Sequence, residues 1–209
     1  MLKKGEIAII IFNLLYVLAF TIYYLSIGNF EFMIYIGVLV LVGFIVIFNL
    51  RKSGLDYLAL WGLSIWGFLH MVGGGVKIAG QTVYRLKLFN IIDNGGDFFI
   101  LKMDQVIHFY GFAVAAIVIY QLIAPRFKDV LQGKKLPIFI AWIGSMGLGA
   151  LNEIVEFIAF ISLEKTGVGD LYNTGLDLIF NLLGAFVGSI VAYRWHKRKT
   201  TNMTKLKSV

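Results

Sequence analysis

Of the 209 residues, 59% are hydrophobic and only 15% are charged, whereas a soluble domain carries about 25% charged residues. An ordinary soluble domain is excluded, and the absence of cysteine also excludes disulfides, thiol nucleophiles and Cys-ligated zinc. The net charge of +7 does not argue for nucleic acid, because the basic residues stand at the ends of apolar blocks, where they orient a membrane protein.

Apolar blocks near 20 residues long match the helix length that crosses a bilayer. Six fit, at about 7–27, 32–50, 56–75, 105–124, 136–162 and 176–195. The expected fold is an all-α membrane protein, a six-transmembrane-helix bundle in one domain over 1–195. A basic, frayed cytoplasmic tail over 196–209 would anchor on lipid headgroups. The first block is longer than the h-region of a signal peptide and no A-x-A site follows it, so it reads as a retained helix.

Two connections carry local signals. Between helices 3 and 4, "QTVYRLKLFNIIDNGGDFFILK" places Asn94-Gly95 between β-prone runs. This predicts a small external β-hairpin, 82–91 paired with 97–102. Before helix 6, "GVGDLYNTG" is glycine-rich, but without a lysine or a preceding strand it is no phosphate loop.

Charge alternates along the chain. Fourteen of the nineteen basic residues fall at one end of the bundle: Lys3, Lys4, Arg51, Lys52, Arg126, Lys128, Lys134, Lys135, and six more beyond residue 193. The other end holds Lys77, Arg85, Lys87, Lys102 and Lys165. The positive-inside rule then predicts cytoplasmic N- and C-termini in the cell (inner) membrane.

Polar residues inside the blocks share a depth. At about 1.5 Å per residue, His70, His108, Glu153, Glu156, Asp177 and Asn181 lie between about 6 and 12 Å outward of the midplane, with Asp104 at the outer mouth of helix 4. Asp104/His108, Glu153/Glu156 and Asp177/Asn181 are spaced i, i+4 or i, i+3, so each pair shares a helix face. Intramembrane ionisable residues are costly and face bundle interiors or wet cavities. Helices 3–6 are therefore expected to enclose an outward-facing polar pocket. Ser145, Gly147, Gly149 and Gly184-x-x-x-Gly188 would let those helices approach closely.

His, Asp and Glu together suit a divalent metal, Zn²⁺ or Mn²⁺. The expected ligands or acid–base groups are His108, Glu153 and Asp177, with Glu156 as a further catalytic group. His70, Asp104, Asp170 and Asn181 would support them or touch substrate. Each residue also has a plainer reading. His70 before "GGG" can be an interface or capping residue, and Asp104 and Asp177 can cap helices 4 and 6. Glu153 and Glu156 can be hydrogen-bonding glue between helices.

"DQVIHFYGF" (104–112), "NEIVEF" (152–157) and "GDLYNTGLDLIFNLLGA" (169–185), with "LHMVGGG" (69–75), resemble the YjdF-type family of bacterial and archaeal inner-membrane proteins. On the matching positions the resemblance implies His70, Asp104, His108, Glu153, Glu156, Asp170, Thr174 and Asp177 as motif residues. Asn173 stands where the family tends to have Asp. More distantly, Asp177, Asn181 and Gly184 resemble the VanZ-like pattern, without the Gln and Arg that follow its Glu. The resemblance implies a six-helix membrane protein and supplies no reaction.

Three functions compete on this reading. One is a metal-dependent membrane enzyme acting on a lipid-linked or envelope substrate. Another is a proton-coupled small-molecule transporter, against which no ionisable residue continues through the inner half. The third is a non-catalytic envelope scaffold that binds a partner through the 76–103 loop.

Overall fold

The computed structural model describes residues 2–95, 98–125, 135–163, 166, 167 and 169–207, with side chains as far as Lys199 and at Thr201. Arg126, Lys128, Lys134 and Lys165 of the charge pattern and Asp97 of the expected hairpin lie outside the described residues, as do the side chains of Lys205 and Lys207.

Among the described residues, six helices are long and apolar enough to cross a membrane. They are α1 (Lys4–Ser26), α2 (Phe30–Ser53), α3 (Tyr57–Gly75), α4 (Met103–Ile123), α5 (Leu136–Ser162) and α6 (Leu171–Lys207). Asn29 caps α2 by accepting the Phe32 N–H at 3.1 Å, and Asp56 caps α3 by accepting those of Leu58 and Ala59. The last helix starts five residues before the expected 176. It continues to Lys207, past the point where fraying was expected.

The connection from α3 to α4 holds two small antiparallel pairs. Strands β1 (Lys77–Ile78) and β2 (Gln81–Thr82) are joined through Ala79 and Gly80, both at positive φ. This six-residue hairpin was not foreseen. A 3-10 turn, Val83–Arg85, leads into β3 (Lys87–Asp93), which pairs with β4 (Phe99–Lys102). The expected first strand, 82–91, thus begins at Lys87 because the 3-10 turn occupies its start. Asp93 Oδ1 accepts the Gly95 N–H at 2.9 Å, and Gly95 has φ +82°. The turn is thus begun by the Asp93 side chain with glycine in the left-handed position, and Asn94 does not take the positive φ that an Asn-Gly type I′ turn requires.

Helices α4 and α6 form the closest pair. A Cβ on Gly184 would strike the Phe109 carbonyl, and one on Gly188 the Ala113 carbonyl. Backbone against backbone is the contact that small-x-x-x-small spacing permits. Helix α5 joins them through Ser145, whose Oγ donates to the Phe112 carbonyl at 2.7 Å. Gly149 faces Asn181 of α6, whereas Gly147 faces open space and has no part in the approach.

Helices α1 and α2 form the other side, around buried Tyr16, Tyr24, Phe32, Tyr35, Ile36 and Met71. Their remaining large apolar side chains point outward, Leu14, Leu15, Leu41 and Phe48 among them, as lipid-facing residues do.

At the basic-rich end, Asp56 gathers three helices. Its Oδ2 accepts from Trp195 Nε1 at 2.8 Å and from Lys199 Nζ, and its Oδ1 accepts from Gln121 Nε2 at 2.8 Å. Burial works against its charge, but the bonds from Lys199, Gln121 and Trp195 win and hold the carboxyl at about 2 instead of 3.8. Arg51 and Glu6 tie α2 to α1 through bonds of 3.0 and 2.8 Å.

Two tests follow from these contacts. Gly184→Leu should cost about 3 kcal/mol of stability, since neither backbone can yield, while Gly147→Leu leaves the unfolding midpoint in detergent near wild type. Asp56→Ala should cost about 1–2 kcal/mol at neutral pH from the lost cap and charged bonds. Because the folded-state pKa is depressed, Asp56 stabilises above its unfolded value and loses that contribution as pH falls towards about 2. The gap between wild-type and variant unfolding midpoints should therefore narrow between about pH 4 and pH 2.

Candidate functional site

His108 is the hub of a buried cluster. It sits in the second turn of α4, one turn after Asp104, and the spacing puts both on one face. Its Nε2 lies 3.6 Å from Asp104 Oδ1. On the other side of the ring, Nδ1 lies 3.0 Å from Asn181 Oδ1 and 3.8 Å from Glu153 Oε1. Asn181 comes from α6 and Glu153 from α5, so three helices meet at one imidazole.

The Asn181 amide sets the ring's protonation. Its Nδ2 donates to Glu153 Oε1 at 3.4 Å, which turns its Oδ1 towards His108. A carbonyl oxygen only accepts, so Nδ1 carries the proton, and in the neutral ring Nε2 keeps the lone pair.

Asn173, in the first turn of α6, bridges the carboxylates beyond Nε2. Its Nδ2 donates to Asp177 Oδ2 at 2.6 Å and to Asp104 Oδ2 at 3.3 Å. Glu156 accepts from Asn152 Nδ2 at 2.8 Å. Two buried carboxylate oxygens, Glu153 Oε2 and Asp177 Oδ1, have no hydrogen-bond partner among the described residues, although Glu153 is 8% exposed and Asp177 1%. An unsatisfied buried carboxylate oxygen is costly.

Two sets of donor atoms lie within 4.8 Å of one another: Asp104, His108 and Asp177 on one hand, and His108, Glu153 and Glu156 on the other. Either could hold a metal ion. Bonds of about 2.1 Å draw ligands to within about 3.5 Å of each other, so closure asks for small side-chain shifts. The expected His108, Glu153 and Asp177 are spread over the two sets, with His108 common to both, Asp177 in the first and Glu153 in the second.

A cavity of about 570 Å³ opens onto the cluster. Asp104, His108, Glu156 and Asn173 line it, with His70 on another wall, whereas Glu153, Asp177 and Asn181 lie behind the lining. His70 takes no part in the cluster's bonds. Its Nδ1 meets the Tyr84 hydroxyl, which also donates to the His70 carbonyl at 3.1 Å. Burial, followed by the nearby Asp104 and Glu156 charges, pushes the Tyr84 hydroxyl well above its usual range, so it is a donor at any ordinary pH. Gly73 and Gly74 let the Tyr84 and Phe32 rings lie against the end of α3.

Asp170 is elsewhere. It is exposed, and its Oδ1 accepts the Asn173 N–H at 3.0 Å, a helix cap at the start of α6. The caps proposed for Asp104 and Asp177 do not form: α4 is preceded by Lys102, and Asp177 lies well inside α6.

Two lining residues, Glu31 and Tyr84, were missed by the sequence reading, and a third, Asn173, was noted only as a departure from the family's Asp. Glu31, buried in the first turn of α2, accepts the Gly167 N–H at 2.6 Å and the Tyr35 hydroxyl at 3.2 Å. It stands just outside its block, about 15 Å outward of the midplane, and an inspection of block ends as well as centres finds it. Tyr84 carries no signal beyond a β-prone run. Asn173 could be reached only by starting helix 6 earlier, where it falls i, i+4 from Asp177.

No solved structure matches the chain. It is 38% identical over 95 residues to an "Uncharacterized protein" of Thermotoga maritima, covering 44% of this chain and 47% of that one. The chain thus spans about half the length of this curated relative. A family model described as "Predicted membrane protein (DUF2238)" matches residues 8–198, a stretch that takes in all six apolar helices and every residue of the cluster, and the chain belongs to that family.

Proposed function

We propose that the protein is a divalent-metal-dependent enzyme of the cell membrane, with cytoplasmic termini, acting from the opposite face on a lipid-linked or other envelope-borne substrate. The observation that carries this reading is the orphaned Asp177 Oδ1, on a buried carboxylate grouped within 4.8 Å with His108 and with Asp104, which faces the His108 Nε2 at 3.6 Å. Four carboxylates around one imidazole need positive charge among them. A divalent ion supplies it, and would polarise a substrate oxygen or lower the pKa of a bound water.

In this reading Asp104, His108 Nε2 and Asp177 are the ligands, and Zn²⁺ or Mn²⁺ suits them. Asn181 and Glu153 hold the ring from behind, the arrangement common to metal-ligating histidines. Glu156 faces the cavity and takes a proton as general base, oriented by Asn152. The likeness of the 104–112, 152–157 and 169–185 segments to the YjdF-type and VanZ-like families supports the choice of residues and supplies no reaction. The crowding of basic residues at the end holding Lys3, Arg51 and Lys199 supports the orientation.

A transporter reading needs titratable groups through the other half of the bundle. Between the cluster and the charged pairs Glu6–Arg51 and Asp56–Lys199 at the basic-rich end, the α1–α3 polar contact is neutral: Asn13 donates to Ser64 Oγ at 2.7 Å and accepts from Tyr16 at 2.9 Å.

Protein purified without chelator should carry about one Zn or Mn per chain by elemental analysis. His108→Ala and Asp177→Asn should each lose most of it, and a metal-free wild-type protein overturns the reading. Asn181→Ala should keep the fold but weaken metal binding roughly 10- to 100-fold in competition with a chromogenic chelator, through loss of ring orientation. Unchanged affinity would remove Asn181 from that role.

A further inference from the structure

The cavity above the cluster has a second chemical character at its mouth. Lys77 of β1, Arg85 of the 3-10 turn, Lys87 of β3 and Lys102 of β4 all line it. All four come from the α3–α4 connection, on four separate short elements, with Lys77, Arg85 and Lys87 exposed at the opening and Lys102 buried.

Topology does not account for the four, and internal pairing does not account for Lys77 and Arg85. The end of the bundle that holds them has five basic residues in all, and four are here. Orientation is favoured by few cations at that end, so four kept at one cavity oppose the signal. Lys87 lies 3.7 Å from Asp93, with the two side chains 52% and 35% exposed, and such a surface pair contributes little. Lys77 and Arg85 are exposed and have no carboxylate partner among the described residues.

Below this rim the walls turn acidic, with Glu31, Asp104 and Glu156 lining the deeper part. Cations at the mouth would bind a multiply charged anion at the rim, above these carboxylates and without needing a metal. The volume, about 570 Å³, falls within the range of small-molecule sites and exceeds what a lone ion needs. An arginine fork beside lysines is the usual recognition set for phosphate oxygens.

We propose that the mouth of this cavity binds a phosphate-bearing headgroup, held by Arg85, Lys77 and Lys87 so that it reaches down towards Asp104, His108 and Glu156. This rests on the reading of the cavity as a substrate site and names that substrate's class. The same chemistry belongs to a phospholipid headgroup and to a soluble diphosphate.

The test is direct binding to the full chain in uncharged detergent with EDTA present, followed by the thermal unfolding midpoint. The probes are dihexanoyl phosphatidic acid, inorganic pyrophosphate and, as control, dihexanoyl phosphatidylcholine. At least one of the two anions should raise the midpoint saturably, and the control should not. A tighter phosphatidic acid identifies a lipid source and a tighter pyrophosphate a soluble one. The double variant Lys77→Gln/Arg85→Gln should weaken the successful anion roughly tenfold or more, without moving the midpoint of the ligand-free protein, because both side chains are exposed. Lys87→Gln alone should give a smaller loss. No shift with either anion, or a shift that the double variant retains, overturns the proposal. Because EDTA removes metal from the measurement, this outcome is independent of whether the wild-type chain carries Zn or Mn.

Discussion

The close contact of α4 and α6 governs the rest of the structure. Gly184 and Gly188 rest on the carbonyls of Phe109 and Ala113, and Phe109 is the neighbour of His108. Asn181 precedes Gly184 by three residues, so it lies on the same face of α6. The steric demand at the glycines therefore sets the 3.0 Å separation of His108 and Asn181. No loop or flexible side chain stands between the two, and a geometry fixed by two backbones is a suitable base for a site that must hold its shape in lipid.

That rigidity matters because the cluster is costly. Charged or unsatisfied groups at bilayer depth cost several kcal/mol each, and here carboxylates from α4, α5 and α6 surround one imidazole. Amides reduce the cost: Asn181, Asn173 and Asn152 each donate to at least one of them. An amide does this without adding charge, and its fixed donor and acceptor ends dictate which ring nitrogen of His108 is protonated. A carboxylate at position 181 would leave Nδ1 with a charged acceptor and Glu153 Oε1 without a donor. The amide chemistry is thus what separates a supporting side of the imidazole from an open one.

The number of helices and the layer that carries the site are legible in the sequence, because 20-residue apolar blocks and costly interruptions within them are strong signals. Depth, however, is one coordinate. Counting residues from a midplane places Glu153 and Asp177 in one layer, yet says nothing of which side of His108 each occupies. Their place in different donor sets around the ring follows from the rotation of α5 and α6, which packing decides. Glu31 was passed over because it stands at the edge of its block, and Asn173 because the polar run before helix 6 hid a helical turn begun by Asp170. Tyr84 is in the site through a contact with the end of α3, fourteen residues earlier, and no periodicity reports such a contact.

The α3–α4 connection then joins these two levels of the site. Tyr84 packs on Gly73 and bonds His70, which fixes the 3-10 turn against the end of α3. Arg85 follows it directly, so the residue that anchors the wall also positions a cation of the mouth. Lys102 ends the same connection with its backbone N–H donated to Gln105 at 3.1 Å, two residues before Asp104. The segment is pinned at both ends by elements of the bundle. Its charges are therefore held over the cluster by the same contacts that shape the cavity, and a ligand entering there would meet cations and carboxylates in a set order.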